Sequence, residues 1–225
     1  MRRGILLSSF LLLLLIFLSV IILIEGSGEV RVYKYNYDRR KAVQYALENA
    51  NEGKDYQNLF SEDCTNFVSF SLQAGGWPMK EPPFWYYLLP HIWPFSWLRN
   101  HYWFFHSKDD HSRSWTVVTD FSEFIQISGR GAKIFLGNEP NEVKNKIKEL
   151  LKEKKVKEGD IIQRIGGGCP GHTMIITEIK EEMLKISYHS PNTKNQELEE
   201  FLKKYLEKCP RAEYYLYLLE DYFNE

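Results

Sequence analysis

Cys64 stands where a side chain could do covalent chemistry. It lies in Ser61-Glu62-Asp63-Cys64-Thr65-Asn66-Phe67-Val68-Ser69-Phe70, which reads as the start of a helix. About a hundred residues later come Gly159-Asp160-Ile161-Ile162-Gln163 and then Gly171-His172-Thr173-Met174-Ile175-Ile176-Thr177. His189 closes the next apolar run, Leu184-Lys185-Ile186-Ser187-Tyr188-His189. A thiol attacks a carbonyl only as thiolate, and its free pKa of about 8.5 falls at a helix N-terminus and beside an imidazolium. A cysteine opening a helix, a histidine opening a strand and a polar group on the next strand follow the order nucleophile, base, orienter. Cys64 alone would read as a small buried apolar residue. The downstream histidines make it a candidate nucleophile.

The third group follows from register. If Lys180 and Glu181 form the centre of the turn, His172 and His189 are directly opposed on one face, with Cβ atoms roughly 4.5–5.5 Å apart. His189 could then accept a hydrogen bond from His172 and fix its tautomer. A one-residue slip breaks this pairing and leaves Ser190, Asn192 and Asn195, of which Asn192 is the strongest alternative third member. The oxyanion hole would use the backbone N–H of Cys64 and one donor from Tyr56, Gln57 or Asn58, between which the sequence does not choose. Glu62 and Asp63 oppose a thiolate, so Asp63 must point away from Cys64 or cap the backbone. Cys169-Pro170-Gly171-His172 has metal-ligand spacing, and Cys64 and His189 could complete a set, but a second tight pair is missing. The reading therefore calls for no metal and no cofactor.

These groups need elements to hold them. Ala42, Val43, Ala46, Leu47 and Ala50 repeat at helical spacing behind Asp38, a cap residue, and predict a helix from Asp38 to Asn51. Ser61 caps the Cys64 helix, which Gly75-Gly76 stop. Phe121, Phe124 and Ile125 mark a helix ending at Ile127, capped by Thr119 or Asp120. Val143, Ile147, Leu150 and Leu151 mark another over Asn141 to Lys155. Strands follow: Asp160 to Ile165, then a hairpin of Thr173–Ile179 and Leu184–His189. A helix around Leu198 to Leu206 and a strand from Tyr214 to Leu219 complete the chain. Helices first and antiparallel strands afterwards give an α+β fold, with N-terminal helices packed on a small antiparallel β-sheet. Between 77 and 115 lie all six tryptophans, and Pro78, Pro82, Pro83, Pro90 and Pro94 argue against one regular element there. His101, His106 and His111 recur every five residues, on no common face, and read as surface or aromatic-cluster residues.

The N-terminus has Arg2 and Arg3 before an uncharged run from Ile5 to Ile24. Roughly 20 apolar residues suffice to cross a bilayer core. Residues 1–28 are thus expected to form an uncleaved transmembrane helix and stem, with a signal cleaved on secretion as the alternative. Residues 29–225 then form the domain, on the extracytoplasmic side. A net charge of −1 over 225 residues gives no case for nucleic-acid binding. Three cysteines leave an odd thiol. One arrangement pairs Cys169 with Cys209 and frees Cys64, and in the other all three stay reduced.

Several blocks resemble the bacterial "putative amidase domain" family: Tyr37-Asp38-Arg39-Arg40-Lys41-Ala42-Val43-Gln44-Tyr45-Ala46, Asp63-Cys64-Thr65-Asn66-Phe67-Val68-Ser69 and Ala74-Gly75-Gly76. Trp85-Tyr86-Tyr87, Ser114-Trp115-Thr116-Val117-Val118, the Gly159 and Gly171 blocks and Tyr188-His189-Ser190 extend the resemblance over roughly residues 36 to 200. The Gly-Asp and Gly-His blocks are shared with the CHAP and NlpC groups of cell-wall hydrolases. The resemblance implies a papain-like fold and a cysteine amidohydrolase with Cys64 as nucleophile and His172 as base. His189 would be the third member, as a histidine is in the NlpC group. Peptidoglycan peptide amides would be the substrate. The chain departs from the family pattern between about Leu88 and His111, where its aromatic segment is longer. A catalytically inactive module that binds glycan, protein or membrane surface through its tryptophans is the competing expectation.

Overall fold

Helix α1 (Arg39–Asn49) begins where Asp38, in extended backbone, accepts the Lys41 N–H at 3.2 Å and closes the first turn. In the computed structural model, which describes residues 34–51, 62–83, 87, 100–206 and 208–224, its Ala42, Val43 and Ala46 face α2 (Cys64–Ala74). Helix α2 is buried from Cys64 to Leu72, hydroxyl and amide side chains included. It cannot be read as amphipathic, because it runs through the interior. Short helix α3 (Arg113–Thr116) leads into α4 (Val118–Ile127). Asp120, in the first turn of α4, pairs with Arg113 at 2.6 Å rather than capping the helix start. Helix α5 (Pro140–Lys152) starts on a proline, whose missing N–H costs nothing at that position. Helix α6 spans Leu198–Leu206.

Six strands form one antiparallel sheet: β4 (Gly131–Gly137), β5 (Ile161–Gly166), β6 (His172–Lys180), β7 (Met183–Tyr188), β8 (Thr193–Glu197) and β9 (Ala212–Leu219). Their spatial order is β4-β9-β5-β6-β7-β8. Two small pairs lie outside it, β1 (Lys34–Asn36) with β10 (Tyr222–Asn224), and β2 (Phe105–Ser107) with β3 (Asp110–His111). Side-chain alternation divides the sheet. Ile161, Ile175, Tyr217 and Leu219 join the core that contains α1, α2 and α4. Ile162, Met174, Ile176, Ile186, Tyr214 and Leu216 join the core under α5 and α6.

The expected fold class is corrected in its sheet. The sheet is not small: it gains edge strands β4 and β8, which the sequence pattern hides because β8 is Thr-Lys-Asn-Gln-Glu and β4 alternates only loosely. No helix among the described residues is long and apolar enough to cross a membrane, and the expected span over residues 5–24 lies outside them. A six-stranded antiparallel α+β arrangement therefore replaces the papain-like description with a small sheet.

The aromatic segment is partly core. Trp77, Trp103 and Trp115 are buried, and the Arg130 guanidinium lies 4.8–5.7 Å from the rings of Trp77, Trp103, Phe124 and Phe223. Trp85, Trp93 and Trp97 lie outside the described residues.

The Gly159-Asp160 block is a structural joint. Asp160 Oδ1 takes Arg39 Nη1 at 2.7 Å and the Leu219 N–H at 3.0 Å, and Oδ2 takes the Lys157 N–H at 2.8 Å. Tyr37 donates to the Gly159 carbonyl at 2.9 Å. Gly159 has φ +86°, and a Cβ there would stand 2.8 Å from the Tyr37 hydroxyl. Asp160→Ala removes one of the two carboxylates on Arg39, which keeps Asp221, and leaves two backbone donors without their acceptor. It should lower unfolding free energy by about 3 kcal/mol, measured by chemical denaturation, while a surface control such as Glu197→Ala stays within about 0.5 kcal/mol.

Candidate active site

Five of the seven residues of the Asp63–Ser69 block hold something in place. The Asp63 carboxylate meets His189 Nδ1 at 2.8 Å and Asn66 Nδ2 at 2.7 Å. Asn66 Oδ1 accepts Trp115 Nε1 at 2.8 Å. The Thr65 hydroxyl is 3.0 Å from that of Thr173, which also accepts Gln163 Nε2 at 3.0 Å. The Phe67 ring stacks on His189 with centroids 4.2 Å apart. Ser69 donates to the Trp115 carbonyl at 2.9 Å and accepts Trp103 Nε1 at 3.2 Å. The start of α2 is thus bolted to β5, β6, the end of β7 and the aromatic core. Asp63 meets the requirement that its charge be engaged away from Cys64.

Cys64 is a free thiol in the first turn of α2, 4% exposed. Burial pushes its pKa up, more than the N–H of Thr173 and the hydroxyl and N–H of Thr65 pull it down, and Glu62 pushes the same way as burial. The Thr65 hydroxyl stands 3.9 Å from the sulfur. Asp63 makes no side-chain cap on α2, so the first-turn N–H groups are not consumed by it.

His172 opens β6, also 4% exposed, and its Nε2 has no hydrogen-bond partner. Burial, and after it the Arg164 guanidinium, lower its pKa to about 3, so the ring is neutral at pH 7. The ring packs edge-on to Tyr188 at 4.7 Å and parallel to Phe201 at 5.9 Å, on the α6 face of the sheet. Thr173, one residue on, faces α2. Cys64 and His172 line one cavity of about 230 Å³, together with Arg164, Glu62, Ser190 and Lys208. Among the described residues no hydrogen bond joins the two.

The expected opposition of His172 and His189 does not occur. The β6–β7 turn is centred on Glu181-Glu182, with Lys180 opposite Met183, and an irregularity beyond Ile176 sets Ile175 opposite Ser187. The register differs by one from the expected one, and one residue reverses the face. His189 points to the α2 side, its Nδ1 2.8 Å from the Asp63 carboxylate and its Nε2 3.0 Å from the Asn49 carbonyl. With both nitrogens engaged, it does not hold His172. Ser190 follows, donating nothing to His172 but accepting the Asp63 N–H at 3.0 Å. Asn195 Oδ1 lies 2.7 Å from the Thr177 hydroxyl, away from the site. Asn192 is on the exposed turn before β8. Tyr56, Gln57 and Asn58 lie outside the described residues.

Two features shape the cavity wall: one of the two cysteine arrangements read from the sequence, and a buried arginine that the sequence reading missed. Cys169 and Cys209 form a disulfide and line the cavity. The turn before Cys169 runs through Gly166, Gly167 and Gly168, all at positive φ, and a Cβ on Gly167 would meet the Ala212 backbone nitrogen at 2.5 Å. Arg164, on β5 directly opposite His172, is 4% exposed and donates through Nη2 to the Pro170 carbonyl at 3.0 Å. A charged residue inside the run Ile161-Ile162-Gln163-Arg164-Ile165 was the available signal, because lone charges are rarely buried without purpose. A larger hollow of about 770 Å³ lies between α5, α6 and the β6–β7 turn. It is edged by Lys144–Glu199 and Lys148–Glu182 pairs and carries no nucleophile.

The putative amidase domain family matches residues 36–217. Among curated proteins the chain is similar to the uncharacterized protein YhbB of Bacillus subtilis (strain 168), 39% identical over 70 residues. That match covers 30% of this chain and 22% of the relative, so the two share only part of the relative's length. No solved structure matches the chain.

Because burial disfavours the thiolate, iodoacetamide should alkylate Cys64 with an apparent pKa above the ordinary thiol value of about 8.5. The rate should still be climbing where a free thiol has levelled off. Mass mapping against pH reads this out, and a plateau near pH 7 would contradict it.

Proposed function

The chain belongs to the putative amidase domain family, and from that premise we propose an amide hydrolase in which Cys64 is the nucleophile and His172 the base. The observation that carries this reading is the shared cavity: the molecule's free described thiol and a neutral histidine with an unpartnered Nε2 line the same space. The Cys64 sulfur would form a bond to the substrate carbonyl carbon as its proton passes to His172. His172 then gives that proton to the departing nitrogen as the C–N bond breaks. Water attacks the thioester, releasing the acid and restoring the thiol. The imidazole must turn from its place against Phe201 toward the sulfur, and its position one residue before Thr173, whose N–H acts on the thiol, supports that short path. First-turn N–H groups of α2 would stabilise the oxyanion. A neutral thiol beside a neutral imidazole favours general-base attack over a standing ion pair.

The Cys169–Cys209 disulfide supports work in an oxidising compartment outside the cytoplasm. Peptide amides of the cell wall are the substrate pool proposed there. The competing binding module is weakened by Trp77, Trp103 and Trp115, which serve the core instead of presenting a surface.

The test is hydrolysis of stem and cross-bridge peptides by purified protein. Cys64→Ala should abolish release of new amines, and His172→Ala should lower kcat by about 10²- to 10⁴-fold. Activity surviving Cys64→Ala would sink the mechanism. Opening the disulfide with Cys169→Ser plus Cys209→Ser loosens the loop that leads into His172. It should reduce kcat/KM on the order of 10- to 100-fold while the far-UV spectrum is retained.

A further inference from the structure

Arg164 is a buried cation with no paired anion among the described residues. Its Nε and Nη1 have no hydrogen-bond partner, although the residue is 4% exposed. Only Nη2 is used, on the Pro170 carbonyl. The guanidinium rests over the Tyr205 ring at 4.4 Å and the Phe201 ring at 5.7 Å, which fix its plane without occupying its in-plane N–H groups. It sits in a cross-strand row, Tyr214 on β9, Arg164 on β5 and His172 on β6, whose members share one sheet face. All three carry an unpartnered buried polar atom, the Tyr214 hydroxyl, the two Arg164 nitrogens and His172 Nε2. Burying such groups unpaired is costly, and an unpaired charge most of all. Arg164 also lines the cavity it shares with Cys64, where Lys208 adds positive charge and Glu62 opposes it.

We propose that this end of the cavity is a carboxylate-recognition subsite, in which Arg164 holds a carboxylate of the substrate beside the amide that Cys64 attacks. This rests on the reading of Cys64 as the nucleophile and names its substrate class: amides of acyl or amino groups that carry a free carboxylate close to the scissile bond. A planar carboxylate matches a guanidinium edge, and charge-assisted bonds of this kind are the strong ones. A cavity of about 230 Å³ is small for a ligand site, and suits one residue-sized acidic group, not a long chain.

Two alkylating reagents of nearly equal size test this, one anionic and one neutral. The rate at which iodoacetate modifies Cys64 is divided by that of iodoacetamide and compared with the same ratio for glutathione. The ratio should exceed that of glutathione by about 10- to 100-fold, the gain expected of one or two charge-assisted bonds. Glutarate should protect Cys64 and glutaramide should not. Arg164→Gln should bring the ratio back to that of glutathione, with Arg164→Lys between. A glutathione-like ratio in the unaltered protein, or equal protection by glutarate and glutaramide, overturns the subsite while leaving Cys64 as nucleophile. If neither reagent modifies Cys64, the nucleophile reading fails. The subsite is then decided by thermal denaturation: a Tm rise with glutarate, absent with glutaramide and lost in Arg164→Gln, upholds it, and no rise overturns it.

Discussion

The seam between the first turn of α2 and the first residues of β6 is the constraint on which the site depends. Two hydroxyls, Thr65 and Thr173, meet across it at 3.0 Å, and Gln163 braces the second. On the other side of Cys64, Asp63 is locked to His189 and Asn66. These are buried polar contacts, so each holds its geometry more firmly than the same contact in water would. They bring residues 108 positions apart to hydrogen-bonding distance. Cys64 and His172 sit one residue before each end of the Thr65–Thr173 bond. Their proximity is therefore set by the seam and not by an attraction between them.

That seam is buried, and burial sets the resting chemistry. Burial moves the Cys64 thiol up and the His172 imidazole down, which keeps both neutral. Among the described residues, Arg164 is the formal charge buried beside them on the cavity wall, and it adds to the depression of His172. A carboxylate seated on Arg164 would offset that field and make His172 a better base only when substrate is present. Burial, the larger cause of the depression, would remain, and the part due to Arg164 would be relieved by the group the site recognises, which couples binding to the proton transfer that follows.

Local signals in the chain reach the elements more easily than their arrangement. Helix α1 is legible because Asp38 caps an alanine-rich stripe, and α5 because its apolar positions repeat at helical spacing. Cys64 and His172 stand out by residue type and neighbours, and the structure places both on one cavity. The role of His189 was not legible, because it turned on a hairpin register that one residue reverses. Strand β8 was hidden because an edge strand of Thr, Lys, Asn, Gln and Glu carries no apolar pattern. The Cys169–Cys209 pairing could be posed from the odd cysteine count but not chosen, because its two ends meet only through the sheet.

Arg164 within β5 and Asp160 just before it show how differently two buried charges can be used. Asp160 spends its acceptors on Arg39 and on the backbone of Lys157 and Leu219, and so closes α1 and β9 onto β5. Its charge is matched within the fold, as structural burial requires. Four residues along, Arg164 has rings above it and one carbonyl beside it, and no acid among the described residues. Ordinary folding would select a neutral side chain of similar volume there, since stacking on Tyr205 and Phe201 needs no charge. A guanidinium kept at the cost of burying it, beside a free thiol and an unpartnered histidine, is better explained by what enters the cavity than by what surrounds it.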